Sequence, residues 1–343
     1  MPNTVYFTRA RHRAELLNAQ EGDCCRTHKT NNNKSKTTMK KTLIALLALG
    51  SVAMATDLRV QNGETYELGV NTNQVDHLIF GASDADDLTG TYTTVVKAGY
   101  ENKLWSIMRN KSHAVGSIDF SLENNAVAST KSDAGNMNWN AKQISITLGD
   151  GASMTFGNSL NMKYADQTAL TITLGAGSTL TFGGRASLGI DNSAKHEALT
   201  LNFGAGSSIS AGNQVISFGD IMQNSSSSLT LNAALTDDEF TKLITEGAGT
   251  IVQRTLMTAA SIDHLTDCGG TVTGSIAKLD ALGYISKGVL TNVDSLQDGE
   301  YAFYKNGGSL VMYIKGNGNV PEPTTGTLSL LALAGLMTRR RRK

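Results

Sequence analysis

One motif recurs through the middle of this chain and restricts its fold more than any other feature. Ile144-Ser-Ile-Thr-Leu-Gly-Asp-Gly-Ala-Ser-Met-Thr-Phe-Gly157 returns as Leu170-Thr-Ile-Thr-Leu-Gly-Ala-Gly-Ser-Thr-Leu-Thr-Phe-Gly183, and again as Leu199-Thr-Leu-Asn-Phe-Gly-Ala-Gly-Ser-Ser-Ile-Ser-Ala-Gly212. A shortened copy begins at Leu229-Thr-Leu-Asn, and successive starts lie 26, 29 and 30 residues apart. Within each copy apolar residues alternate with Ser and Thr, as at Ile144, Ile146 and Leu148 and then Met154 and Phe156. Period two means a strand with one buried face and one hydroxyl-lined face.

The Gly-x-Gly between the half-strands marks a change of direction, because glycine reaches positive φ without a Cβ clash. A single strand-turn-strand unit cannot bury its own apolar face, but stacked units can. The repeat therefore predicts an all-β chain: a right-handed parallel β-solenoid with its aliphatics stacked in inward ladders. This region resembles the passenger regions of autotransporter-type surface proteins. The competing architecture is an antiparallel β-sandwich, which also shows short strands between turn signals.

Around residues 143–235, which hold the repeat, other segments read as the ends of the stack. Residues 56–142 contain strand candidates at Asp57-Leu-Arg-Val, Tyr66-Glu-Leu-Gly-Val, His77-Leu-Ile-Phe and Tyr92-Thr-Thr-Val-Val, without the clean repeat. Residues 236–315 read as a helix plus a β-hairpin that seal the open end, whose backbone would otherwise pair with any passing strand. Thr236 and Glu239 form a capping box, Leu235 and Phe240 sit at staple positions, and Gly247 ends the helix. Asn306-Gly307-Gly308 between two alternating runs is the hairpin signal.

Both termini read as addresses. Residues 39–55 combine the positive Lys40-Lys41, an apolar stretch from Leu43 to Val52 and the small-x-small Ala53-Met54-Ala55. That order and spacing is a secretory signal peptide, cleaved by signal peptidase between Ala55 and Thr56. Residues 1–38 then read as an upstream extension, with Met39 as the true initiator. Residues 316–343 read as a flexible linker followed by a second signal. There Val320-Pro321-Glu322-Pro323 leads through a polar spacer to a short apolar segment, 328–338, and the cationic Arg339-Arg340-Arg341-Arg342-Lys343. Such a cluster stays on the cytoplasmic side of a membrane, and the apolar run is too short for more than a marginal transmembrane helix.

The Pro-Glu-Pro triplet, short apolar helix and arginine tail at the C-terminus resemble the PEP-CTERM protein-sorting signal. The resemblance covers Val320 to Lys343. It implies a Gram-negative, exopolysaccharide-producing bacterium, and an exosortase that recognises Pro321, Glu322 and Pro323 and removes the tail after transient anchoring in the inner membrane.

Charge bears on partners once the ends are set aside. The two ends hold 14 of the 30 Lys and Arg residues and 4 of the 30 Asp and Glu residues, so residues 56–320 carry a net charge of −10. An acidic body repels phosphates, which argues against nucleic acid. Cys24 and Cys25 fall in the leader, leaving Cys268 alone and no intrachain disulfide.

Motifs that suggest chemistry have simpler structural readings. Asp237, Asp238 and Glu239 sit in a helical first turn, where negative charge suits the dipole. Asp84, Asp86 and Asp87 fail the EF-hand pattern at Leu88 and Thr89. Gly175-Ala-Gly177 precedes a strand, so it lacks the helix N-terminus of a phosphate loop. His77, His113, His196 and His264 show no metal-ligand spacing, and Cys268 has no partner motif. Trp105 and Trp139 suit either sugar stacking or ordinary packing.

The expectation is an exported, non-enzymatic surface or matrix protein that uses no cofactor and offers its Thr/Ser/Asn face to exopolysaccharide or other glycans. The alternative is a polysaccharide-degrading β-helix enzyme, a lyase or glycosidase, which requires Lys163, Asp166, Arg185 and Asp191 to converge in a cleft.

Overall fold

The computed structural model describes residues 57–318, apart from the short segments 70–74, 82–85, 101–103, 105, 109–112, 134–135, 163, 165, 190–196, 220–225 and 267–269. The chain enters with β1 (Asp57–Val60), β2 (Thr65–Leu68) and β3 (His77–Phe80). The next coil contributes β4 (Asp87–Val96) and β5 (Ser106–Met108). From β6 (Val115–Leu122), β7 (Val127–Ser129) and β8 (Met137–Asn138) onward, every coil places a strand on each of three walls. The three clean repeats supply β9 (Ala141–Leu148), β10 (Ser153–Phe156) and β11 (Leu160–Met162), then β12 (Ala169–Leu174), β13 (Thr179–Phe182) and β14 (Ala186–Leu188), then β15 (Ala198–Phe203), β16 (Ser208–Ser210) and β17 (Val215–Ser217). After β18 (Ser228–Ala233) the helix α1 (Asp237–Glu246) is inserted before β19 (Ile251–Thr258) and β20 (Ser261–Asp263). The chain then runs through β21 (Thr271–Ser275), the short α2 (Ala277–Asp280), β22 (Ile285–Leu290), β23 (Glu300–Asn306) and β24 (Ser309–Lys315).

Pairing between coils is parallel, and the molecule is a β-solenoid of about five turns. The first wall runs β2-β4-β6-β9-β12-β15-β18-β21, and the second runs β7-β10-β13-β16-β19. The third holds β8-β11-β14-β17-β20, with β1-β3-β5 as a separate parallel sheet. The antiparallel sandwich is excluded. Antiparallel pairing among the named strands occurs only where β24 joins β19 and where β23 joins β24.

The register explains why the repeat folds this way. Ile146 lies opposite Ile172, Ile172 opposite Leu201, and Leu201 opposite Leu231. All four are fully buried. Each such side chain contributes roughly 1.5–3 kcal/mol by leaving water, so an aligned repeat favours this stacking at every coil. Towards the N-terminus the same column continues through Phe120 to Thr94. At its other end Leu231 faces Gly274, where a Cβ would lie 2.4 Å from the Phe303 ring. Phe303 on β23 thus closes the column in space left by a missing side chain.

Trp139 is the aromatic centre of the interior. It is fully buried, meets Phe80, Phe120 and Phe156 edge-on at 5.6, 5.9 and 5.7 Å, and donates its indole N–H to the Ile107 carbonyl at 2.9 Å. Phe156 then stacks on Phe182 in the next coil at 5.8 Å.

The two corner glycines have different reasons for being glycine. Gly177 adopts φ +65°, the left-handed conformation expected of the turn. Gly175 does not. A Cβ there would lie 2.6 Å from the Asp150 amide nitrogen of the preceding coil, so close stacking of successive corners requires it.

The stack continues past the last clean repeat. β19, β20 and β21 pair in parallel with β16, β17 and β18, which places a further coil within residues 251–275. Helix α1 starts at its expected cap: Thr236 Oγ1 accepts from the Glu239 amide, and the Glu239 carboxylate accepts from the Thr236 amide at 2.8 Å. The hairpin of β23 and β24 then covers the edge of β19, as its turn sequence predicts. Helix α2 was not expected. It spans four residues and its N-cap, Ile276, offers no side-chain cap, so it carries neither periodicity nor a start signal.

Candidate functional site

The outward positions of the walls are as regular as the inward ones. On the first wall the column Ser145, Thr171, Thr200, Thr230 and Thr273 runs coil to coil in register, beside Thr147, Thr173, Asn202, Asn232 and Ser275. Parallel in-register pairing sets about 4.8 Å between neighbours along a column, and alternation sets about 6.7 Å between the two columns. Side chains in the second column are tied together. Asn202 donates to Thr173 Oγ1 at 3.0 Å and Asn232 donates to Asn202 Oδ1 at 2.8 Å. In the first, Thr273 and Thr230 hydroxyls bond at 3.3 Å.

The second wall repeats the arrangement. Ser129, Thr155, Thr181, Ser210 and Thr258 form one column, with Ser153, Thr179 and Ser208 alongside. Thr179 donates to Ser153 Oγ at 3.0 Å. On the third wall Asn161 donates to Asn138 Oδ1 at 2.9 Å, while Ser187 and Ser217 are buried. These hydroxyls and amides carry no charge. Threonine is β-branched and stiff at χ1, so an array of them presents its groups at fixed positions.

Ionisable groups interact at both ends of the stack. Asp119 continues the first column next to Ser145, and its partial burial raises its pKa. Nearby, Lys97 bridges Glu123 at 2.7 Å and Glu67 at 3.0 Å, across three coils. The hydrogen bond to Lys97 lowers the pKa of Glu123, and its bonds to Glu123 and Glu67 raise that of Lys97. Burial pushes the Tyr100 phenol up to about 12. At the other end Glu300 is held below the usual carboxylate range by the Gln297 amide and Lys287.

The residues singled out for chemistry take structural places. Asp87 accepts from the Tyr92 hydroxyl at 2.6 Å, which lowers its pKa, and Asp86 accepts from the Ala114 amide at 2.5 Å. Glu239 also pairs with Arg254 at 3.1 Å, joining α1 to β19. Gly175 and Gly177 form the corner between the first and second walls, and Asp150 steadies it by accepting from the Ala176 amide at 2.7 Å. His77 bonds Ser106 Oγ at 2.8 Å, while His113 lies 3.7 Å from Asp86. His264 takes a positive φ of 64°. Trp139 is unavailable for sugar stacking because it is buried. Asp166 and Arg185 are exposed.

Asp84, Trp105, Lys163, Asp191, His196 and Cys268 lie outside the described residues. So do Ala53, Ala55 and Thr56 of the leader, and Pro321, Glu322, Pro323, Arg339, Arg340, Arg341, Arg342 and Lys343 of the tail. Among the described residues no group of three His, Cys, Asp or Glu side chains is placed to hold a metal ion, and no helix is long and apolar enough to cross a membrane.

Sequence reading anticipated a hydroxyl-lined outer face but missed the third wall and the tyrosines beside the second. Strands of two or three residues, such as β8 and β11, are too short to show alternation. Tyr304 and Tyr313 were visible only as members of the hairpin. No protein-family model, no curated protein and no solved structure matches this chain.

Proposed function

We propose that this is an exported protein that works at the cell surface or in the extracellular matrix as a structural or adhesive element. The in-register, uncharged hydroxyl and amide columns carry this reading. They are a rigid array of weak hydrogen-bonding groups, suited to holding glycans by many simultaneous contacts and not by one deep pocket. The leader over 39–55 supports export, and the tail over 320–343 supports sorting by an exosortase-type system.

Intact mass and cell fractionation test the reading together. The recovered protein is expected to begin at Thr56, to lack the arginine tail, and to appear in the surface or extracellular fraction. Replacing Pro321 and Pro323 with alanine is expected to leave the tail attached and hold the protein at the membrane. Full-length protein in the cytosol would refute both processing and export.

A further inference from the structure

The column Ser129, Thr155, Thr181, Ser210 and Thr258 does not end with the solenoid. Thr258 pairs with Ser309 of β24, so the track passes onto the hairpin without a break in pairing. It spans six strands, about 24 Å at the usual strand spacing, and none of its residues is ionisable. On the hairpin the outer surface changes character. Rows across the sheet read Gln253, Tyr313 and Ala302, the last of them fully buried, then Thr255, Val311 and Tyr304. The inward partners Tyr301, Phe303, Met312 and Ile314 are fully buried, which leaves Tyr304 and Tyr313, both half-buried, on the outer face.

We infer that this outer face of β19, β24 and β23 binds a neutral linear glycan that continues along the hydroxyl track of the second wall. The inference rests on the adhesive reading above and names its ligand class. A pyranose ring has an apolar C–H face and a rim of hydroxyls. Tyr304 and Tyr313 supply broad apolar surfaces with wet phenol edges. Gln253 and Thr255, both exposed in the same rows, supply donors and acceptors for the rim. Beyond the tyrosines, each coil adds a hydroxyl at a spacing close to the advance of one sugar along an extended chain. Charge narrows the class. The track is uncharged, Lys315 on the tyrosine side of β24 is paired with Asp298 at 3.6 Å, and residues 56–320 carry −10, so a polyanionic polysaccharide would be repelled.

Affinity electrophoresis of the protein as recovered from the surface or extracellular fraction tests this, with soluble glucomannan and mixed-linkage β-glucan as neutral linear probes and alginate as the anionic one. At least one neutral probe is expected to retard the protein and alginate is not. Tyr313→Ala and Tyr304→Ala should each weaken retardation by about tenfold, whereas Tyr313→Phe should retain it. Gln253→Ala and Thr255→Ala, at exposed positions, test the same face if a tyrosine variant fails to fold. Gln61→Ala, exposed in the turn between β1 and β2 and outside every column, should change nothing. Retardation by alginate alone, by no probe, or undiminished in folded variants of all four outer-face residues would overturn the inference. A normally processed, surface-located protein that gave any of those results would sink the glycan site while leaving the export reading intact.

Discussion

Thr94 occupies an inward position in the column that continues through Phe120 and Ile146, yet its hydroxyl has no hydrogen-bond partner among the described residues. A buried polar group left unpaired costs about 1–3 kcal/mol, and valine has nearly the same shape. Thr94→Val is therefore expected to stabilise the protein by about 1 kcal/mol, read as a raised midpoint in denaturant. Asp119 presents a milder conflict on the outer side. Its folded pKa is raised above the ordinary 3.8, so the ionised carboxylate costs stability above that value. As pH falls through the raised folded value and then the ordinary one, the cost disappears. Asp119→Asn should raise stability near neutral pH by no more than about 0.5 kcal/mol, since solvent screens the group, and the gain should vanish by about pH 3. Thermal melts at the two pH values check both sign and window.

Elements reveal how the stack is ended. Phe303 fills the space above Gly274 and closes the inner column, while β24 pairs with the otherwise open edge of β19. Phe303→Ala should cost about 3–5 kcal/mol, because it empties a site walled by a fully buried core. Urea denaturation measures the loss, and a cost below about 1 kcal/mol would mean that the column is closed by something else. Much of this architecture was legible in the sequence. The aligned copies place Ile146, Ile172 and Leu201 over one another, and the hairpin and the capping box of α1 announce themselves by turn and cap residues. Of the coil after the clean repeats only the first-wall strand, the shortened copy at Leu229, was legible, because α1 separates it from the second-wall strand and breaks the spacing. Gly175 was misread for a similar reason. Its role lies in the neighbouring coil, some 26 residues away, where local turn chemistry gives no hint.

At the scale of the whole molecule, the sequence sets an acidic body between two basic ends. The terminal segments fit the proposed export route, and the coils between them present uncharged columns on two walls. The site itself was less legible than the fold. The hydroxyl columns follow from alternation, but Tyr304 and Tyr313 join them only once β24 has paired with β19. Because each coil lies upon its neighbour by matching like residue to like, the middle of the stack is indifferent to how many coils it holds. Duplicating the segment from β12 through β14 would leave both caps unaltered and extend the rod by about 4.8 Å. Length is thus open to change by simple gain or loss of a module, letting a lineage adjust how far the tyrosine-bearing tip stands from its base without redesigning either.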